Sequence, residues 1–145
     1  MEEVISKLKS KGINSFHSMK PEEILNIEMY FKIKLPCDYI RFLSMMGNGA
    51  DGFMTGSDVF GEVLLELKDW AKDVIIDNQL PELPDNSFVF WMHQGYQFAF
   101  FKLNEGDNPE VYFFTEGKGL KEFIKIENSF TDFLLKQIDF IPDVK

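Results

Sequence analysis

The sequence predicts an α+β fold: N-terminal helices, an antiparallel β-sheet of about four or more strands, and a C-terminal helix packed on that sheet. Three observations predict it. Up to about residue 75, apolar residues mostly recur at helical spacing. Between Phe88 and Ile126 they gather instead into short aromatic-rich runs separated by turn residues. From Ser129 the helical spacing returns, behind a capping residue.

Val4, Ile5 and Leu8 predict a short first helix ended by Gly12. Pro21 opens a second, because proline at the first helical position gives up no useful N–H. Glu22 and Glu23 favour the positive end of the helix dipole. Ile24, Ile27 and Phe31, with Leu25 and Met29, give it a broad apolar face. Leu35-Pro36 breaks the pattern and starts a third helix, with Tyr39, Ile40, Phe42, Leu43 and Met46 on the core side and Gly47 as its cap. A glycine-rich loop follows over 47–57, then a short strand near Val59 and Phe60. From Leu64 the spacing is helical again, with Leu64, Leu67, Ala71, Val74 and Ile75 on one side. Pro81 and Pro84 close that region.

Phe88–Met92 and Tyr96–Phe101 flank His93-Gln94-Gly95 and predict a hairpin. A second turn at 104–109 leads to a strand at Val111–Phe114, and Phe123–Ile126 supplies a fourth. Short turns imply antiparallel neighbours, and the sheet is expected to carry its helices on one face. Ser129 caps the last helix, with Asp132 three residues on and Phe130, Phe133, Leu134 and Ile138 facing inward.

The 145 residues fit one domain over 1–145, and with 45% hydrophobic residues, 16 of the chain's residues being Phe, a core needs no staples. A lone cysteine, Cys37, excludes an internal disulfide. Met1 to Lys7 contain no apolar segment of signal-peptide type, and no apolar run is long enough to span a bilayer, so a cytoplasmic protein is expected. The formal charge of −9, from 24 acids and 15 bases, disfavours nucleic acid and anionic membranes as partners.

The chain offers little chemistry. Gly47-Asn48-Gly49-Ala50-Asp51-Gly52 lacks the Gly-Lys-Ser/Thr of a phosphate loop and follows a helix instead of a strand. His17 and His93 are remote from each other, and neither has a His or Cys at zinc-ligand spacing. Cys37 has no positioned base. The strand aromatics lack the interleaved Lys and Arg of a base-stacking platform. No catalytic residue, metal or cofactor is expected.

Charge distribution stands out. Between Asp58 and Asp85 lie eight acids against two bases, a net charge of −6 out of −9. Glu62, Glu66, Asp69, Asp73 and Asp77 are spaced 4, 3, 4 and 4 apart, which in a helix puts them on one face opposite Leu64, Leu67, Ala71 and Val74. Like charges at that spacing cost a helix a few tenths of a kcal/mol per pair. A basic protein partner would justify that cost; a merely solvated face is the bland alternative.

Several segments carry a resemblance: Pro21-Glu22-Glu23-Ile24 with Ile27-Glu28; Leu35-Pro36-Cys37-Asp38-Tyr39-Ile40-Arg41-Phe42-Leu43; Gly47-Asn48-Gly49; the Phe88–Phe101 hairpin with Gly95; and Ser129-Phe130-Thr131-Asp132-Phe133-Leu134. In their order and spacing the chain resembles the SUKH superfamily, which includes the yeast cell-wall glucan-synthesis regulator and many bacterial immunity proteins. The resemblance implies an antiparallel α+β fold and a binding role with no shared catalytic residue. The expected function is direct binding and neutralisation of a cognate bacterial toxin, such as a nuclease; the alternative is a regulatory or scaffolding adaptor. The expected partner is a basic toxin domain, bound through Asp58, Glu62, Glu66, Asp69, Asp73 and Asp77, with Trp91, His93 and Tyr96 at the hairpin tip as the alternative patch. The oligomeric state is left open.

Overall fold

The computed structural model describes residues 1–143. The chain runs α1 (Glu2–Ser10), α2 (Pro21–Phe31), α3 (Cys37–Met46), β1 (Ser57–Asp58), a 3-10 helix (Gly61–Leu65), α4 (Leu67–Asp77), β2 (Ser87–His93), β3 (Gln97–Lys102), β4 (Val111–Thr115), β5 (Ile124–Glu127) and α5 (Phe130–Asp139). The five strands form one antiparallel sheet in sequence order, β1-β2-β3-β4-β5. The architecture is α+β, with the C-terminal helix packed against the sheet.

Local chemistry sets the boundaries. Pro21 is the first residue of α2. Lys32 ends that helix in a left-handed conformation at φ 57°, and the Ile33 N–H reaches back to the Glu28 carbonyl at 2.9 Å, which closes the last turn. Ser129 caps α5 through its hydroxyl, which accepts from the Asp132 N–H at 3.0 Å. Gly47 caps α3 with an ordinary right-handed φ of −60°. Space requires glycine there: a β-carbon would stand 2.6 Å from the Leu43 carbonyl oxygen and 2.7 Å from the Met19 β-carbon.

Phe88, Phe90 and Phe101 meet Tyr39 of α3 and Phe130 of α5 in edge-to-face, tilted and stacked contacts on one face of the sheet. The alternating residues Val89, Phe98, Phe100 and Phe114 point the other way and are at most 2% exposed. α4 covers this second face with Leu67, Ala71, Val74 and Ile75. The expectation of helices on one face alone is thus corrected: α3 and α5 lie on one side and α4 on the other. The unbroken apolar runs of β2 and β3 are what a strand buried on both faces requires.

Two further differences lie before β2. The first strand is Ser57–Asp58, paired with Met92 and His93, and not Val59–Phe60. The helix expected from Leu64 is split: a five-residue 3-10 turn enters through Gly61 at φ 78°, and the α-helix begins only after Glu66, whose φ of −104° breaks the continuity.

Candidate functional site

The acidic segment divides among three elements. Asp69, Asp73 and Asp77 lie on α4, Glu66 is its N-cap, Glu62 belongs to the 3-10 helix, and Asp58 is on β1. Asp58 is half-buried and the other five are exposed. A 3-10 helix turns every three residues, so the step of four from Glu62 to Glu66 does not keep the two side chains in line. The single-face row therefore starts at Glu66, continuing through Asp69, Asp73 and Asp77. Among the described residues, none of the six acids forms an ion pair or a side-chain hydrogen bond. The charge is left facing solvent.

Of the two bases in the segment, Lys68 has its ammonium held below the ordinary lysine range, first by burial and then by the neighbouring Lys72, against the opposing pull of Asp85 and Asp69.

The structure adds two residues to this surface. Trp70 is 38% exposed and Ile76 72% exposed, both on the solvent side of α4. Trp70 stands in line with the acids, four residues after Glu66 and three before Asp73. The buried stripe of Leu67, Ala71, Val74 and Ile75 leaves both out, and that is the sequence signal that marks them. An aromatic anchor surrounded by charge is the composition of a protein-binding hot spot.

The hairpin-tip residues come together, although they differ in depth. Trp91 is 5% exposed, His93 half-buried and Tyr96 37% exposed. The Trp91 and His93 rings lie nearly parallel with centroids 5.9 Å apart, and Tyr96 meets His93 edge-on at 6.1 Å. The Ser57 hydroxyl and His93 Nδ1 share a hydrogen bond of 2.9 Å across the β1–β2 pair. Gln94 and Gly95, at φ 51° and 75°, make the turn.

The glycine-rich loop is tied back to the 15–17 segment. The Asn48 N–H donates to the His17 carbonyl, the His17 N–H to Gly49, and the Asp51 N–H to Ser15, all within 3.0 Å. The Gly49 and Phe53 N–H groups donate to Met46 and Ala50. Backbone donors engaged in this way do not form an anion cradle. His17 Nε2 pairs with Asp51 at 2.9 Å, and this hydrogen bond holds the Asp51 carboxyl below its usual range. Among the described residues no three His, Cys, Asp or Glu side chains converge as a metal site, and no helix is long and apolar enough to cross a membrane.

Comparison with known proteins agrees with this fold. The model of the SMI1 / KNR4 family (SUKH-1) matches residues 19–136, most of the chain. No curated protein sequence matches. The chain belongs to the SMI1 / KNR4 (SUKH-1) family and hence to the SUKH superfamily, a family of immunity and regulator-type proteins that work through protein–protein interaction.

Proposed function

We propose that this SUKH-1 protein is an immunity protein that binds a basic bacterial toxin domain directly and blocks it, acting in the cytoplasm by occupancy and not by catalysis. The observation that carries the reading is the solvent face of α4. Glu66, Asp69, Asp73 and Asp77 are exposed and, among the described residues, unpaired, and Trp70 and Ile76 are exposed among them. A helix face of this kind offers long-range attraction from its charge and desolvated contact from its apolar residues.

A nuclease is the toxin class that fits best. Its substrate is a polyanion, so its binding surface must be basic. Carboxylates repeating at about 6 Å along a helix present that surface with a competing row of negative charge.

The test is protection. The neighbouring genes are searched for a toxin-like reading frame, a candidate is expressed in a sensitive strain with and without the protein, and the two purified chains are mixed in vitro. Restored growth together with a one-to-one complex is expected. Unprotected cells, or recovery of several host enzymes in place of one toxin, would refute the reading.

A further inference from the structure

On the face of the sheet opposite α4, the helical cover stops short. α5 ends at Asp139, and the smallest side chain of that sheet face, Ala99, lies between Trp91 and Phe113 in neighbouring strands. The result is a cleft of about 650 Å³ with Trp91, Phe113 and Phe133 in its walls and Phe140, 68% exposed, at its edge. That volume lies within the range of ligand sites.

The polar groups of the cleft both donate and accept. The Trp91 Nε1–H has no hydrogen-bond partner among the described residues, in a side chain only 5% exposed. That nitrogen is itself closed off from solvent, so the indole enters the cleft as an aromatic wall. The side-chain amides of Gln97 and Gln137 also line the cleft. His93 Nδ1 is engaged by Ser57, and when the Ser57 hydroxyl donates to it the ring proton sits on Nε2. Glu127 and Lys136 both line the cleft and offset each other's charge.

We propose that this cleft binds an extended, uncharged peptide segment, seating one bulky apolar side chain against Trp91 and Phe113 and pairing its backbone amides with the side-chain amides of Gln97 and Gln137. Side-chain amides that both donate and accept, set around an aromatic floor, match a peptide backbone carrying an apolar side chain. The balanced charge selects a neutral segment. Phe140 lines the cleft and is still 68% exposed, so a chain continuing past the edge covers more of that ring than a compound confined to the cleft. This site is separate from the α4 surface, and its test does not involve a toxin.

The experiment is an NMR titration of the ¹⁵N-labelled full chain with acetyl-Gly-Phe-Gly-amide, acetyl-Gly-Glu-Gly-amide and benzyl alcohol. With the Phe peptide, saturable shifts are expected at the Trp91 indole N–H and the Gln97 and Gln137 amides. Binding of the Glu peptide is expected to be at least fivefold weaker. Gln137→Trp and Thr55→Trp, which fill the cleft from α5 and from the glycine-rich loop, are each expected to abolish the shifts while preserving the spectrum of the folded protein. Saturation by benzyl alcohol but not by the Phe peptide would overturn the peptide assignment. Absence of saturable shifts with the Phe peptide, or their persistence in both filled variants, would overturn the site.

Discussion

Replacing Glu66, Asp69 and Asp73 together by lysine tests the electrostatic part of the α4 surface. All three are exposed and free of ion pairs among the described residues, so the change leaves the buried stripe of α4 intact. It raises the formal charge by six units, from −9 to −3. A unit charge on the toxin about 10 Å away interacts with each unit through water by about 0.4 kcal/mol. At 0.01 M salt the screening length is about 30 Å and about 0.7 of that survives, so six units amount to about 1.8 kcal/mol per toxin cation, about 20-fold in association rate. At 0.15 M salt only about 0.3 survives, and the effect falls to about 0.7 kcal/mol, or about threefold. Stopped-flow association with the toxin identified by the protection test reads both values. Lysines in the first turn of α4 oppose the helix dipole at about 0.3–1 kcal/mol each, so a melting curve must accompany the kinetics. Association rates of the folded variant and the parent that coincide at 0.01 M salt would refute the electrostatic argument.

Three further outcomes are expected. Trp70→Ala removes the aromatic anchor of the same face and should speed toxin dissociation by about tenfold or more while leaving the association rate within about twofold; surface plasmon resonance separates the two. Tyr39→Phe deletes a hydroxyl that is fully buried and has no partner among the described residues, in a phenol whose ionisation burial pushes far above the ordinary tyrosine range. It should therefore stabilise the fold by about 1 kcal/mol or more, about 3 °C in melting temperature, and a lowered melting temperature would show that the hydroxyl is bonded in the folded state. Asp139, Asp143, Glu110 and Asp51 are held below the usual carboxylate range chiefly by hydrogen bonds from Lys7, Lys11, Lys125 and His17 respectively. Because the folded values lie below the unfolded ones, their contribution is full above about pH 4–5 and is lost as pH falls through the folded values. The melting temperature should drop on acidification below that point, and less steeply in Asp139→Asn.

Much of the fold is legible in single residues. Pro21 and Ser129 mark two helix starts because each solves a terminal hydrogen-bonding problem locally. The Phe88–Phe101 hairpin shows because its turn residues separate two apolar runs. β1 is misplaced by two residues because Ser57 and Asp58 carry no apolar pattern; their pairing is dictated by Met92 and His93, far along the chain. The break at Glu66 is equally hidden, since a 3-10 turn and an α-helix both bury Leu64 and Leu67. Trp70 and Ile76 are readable as large apolar residues outside the buried stripe of α4, once its register is known. Of the cleft only Trp91 and His93 are readable, as hairpin residues, because its other walls come from the glycine-rich loop, the remaining strands and the end of α5.

The placement of α4 bears on how the two surfaces relate. Strand alternation sends Val89, Phe98 and Phe100 toward α4, while Phe88, Phe90 and Phe101 face α3 and α5. The cleft opens on the α5 side, where Phe133 of α5 meets Trp91 edge-on at 5.8 Å. The acidic face of α4 therefore points away from the cleft, with the sheet between them. Neighbouring sheet and helix layers lie about 10 Å apart, so a partner seated on α4 does not by itself bury the cleft. Charge and cavity belong to opposite sides of one closely packed layer, and α4 charge reversal and cleft filling perturb binding independently.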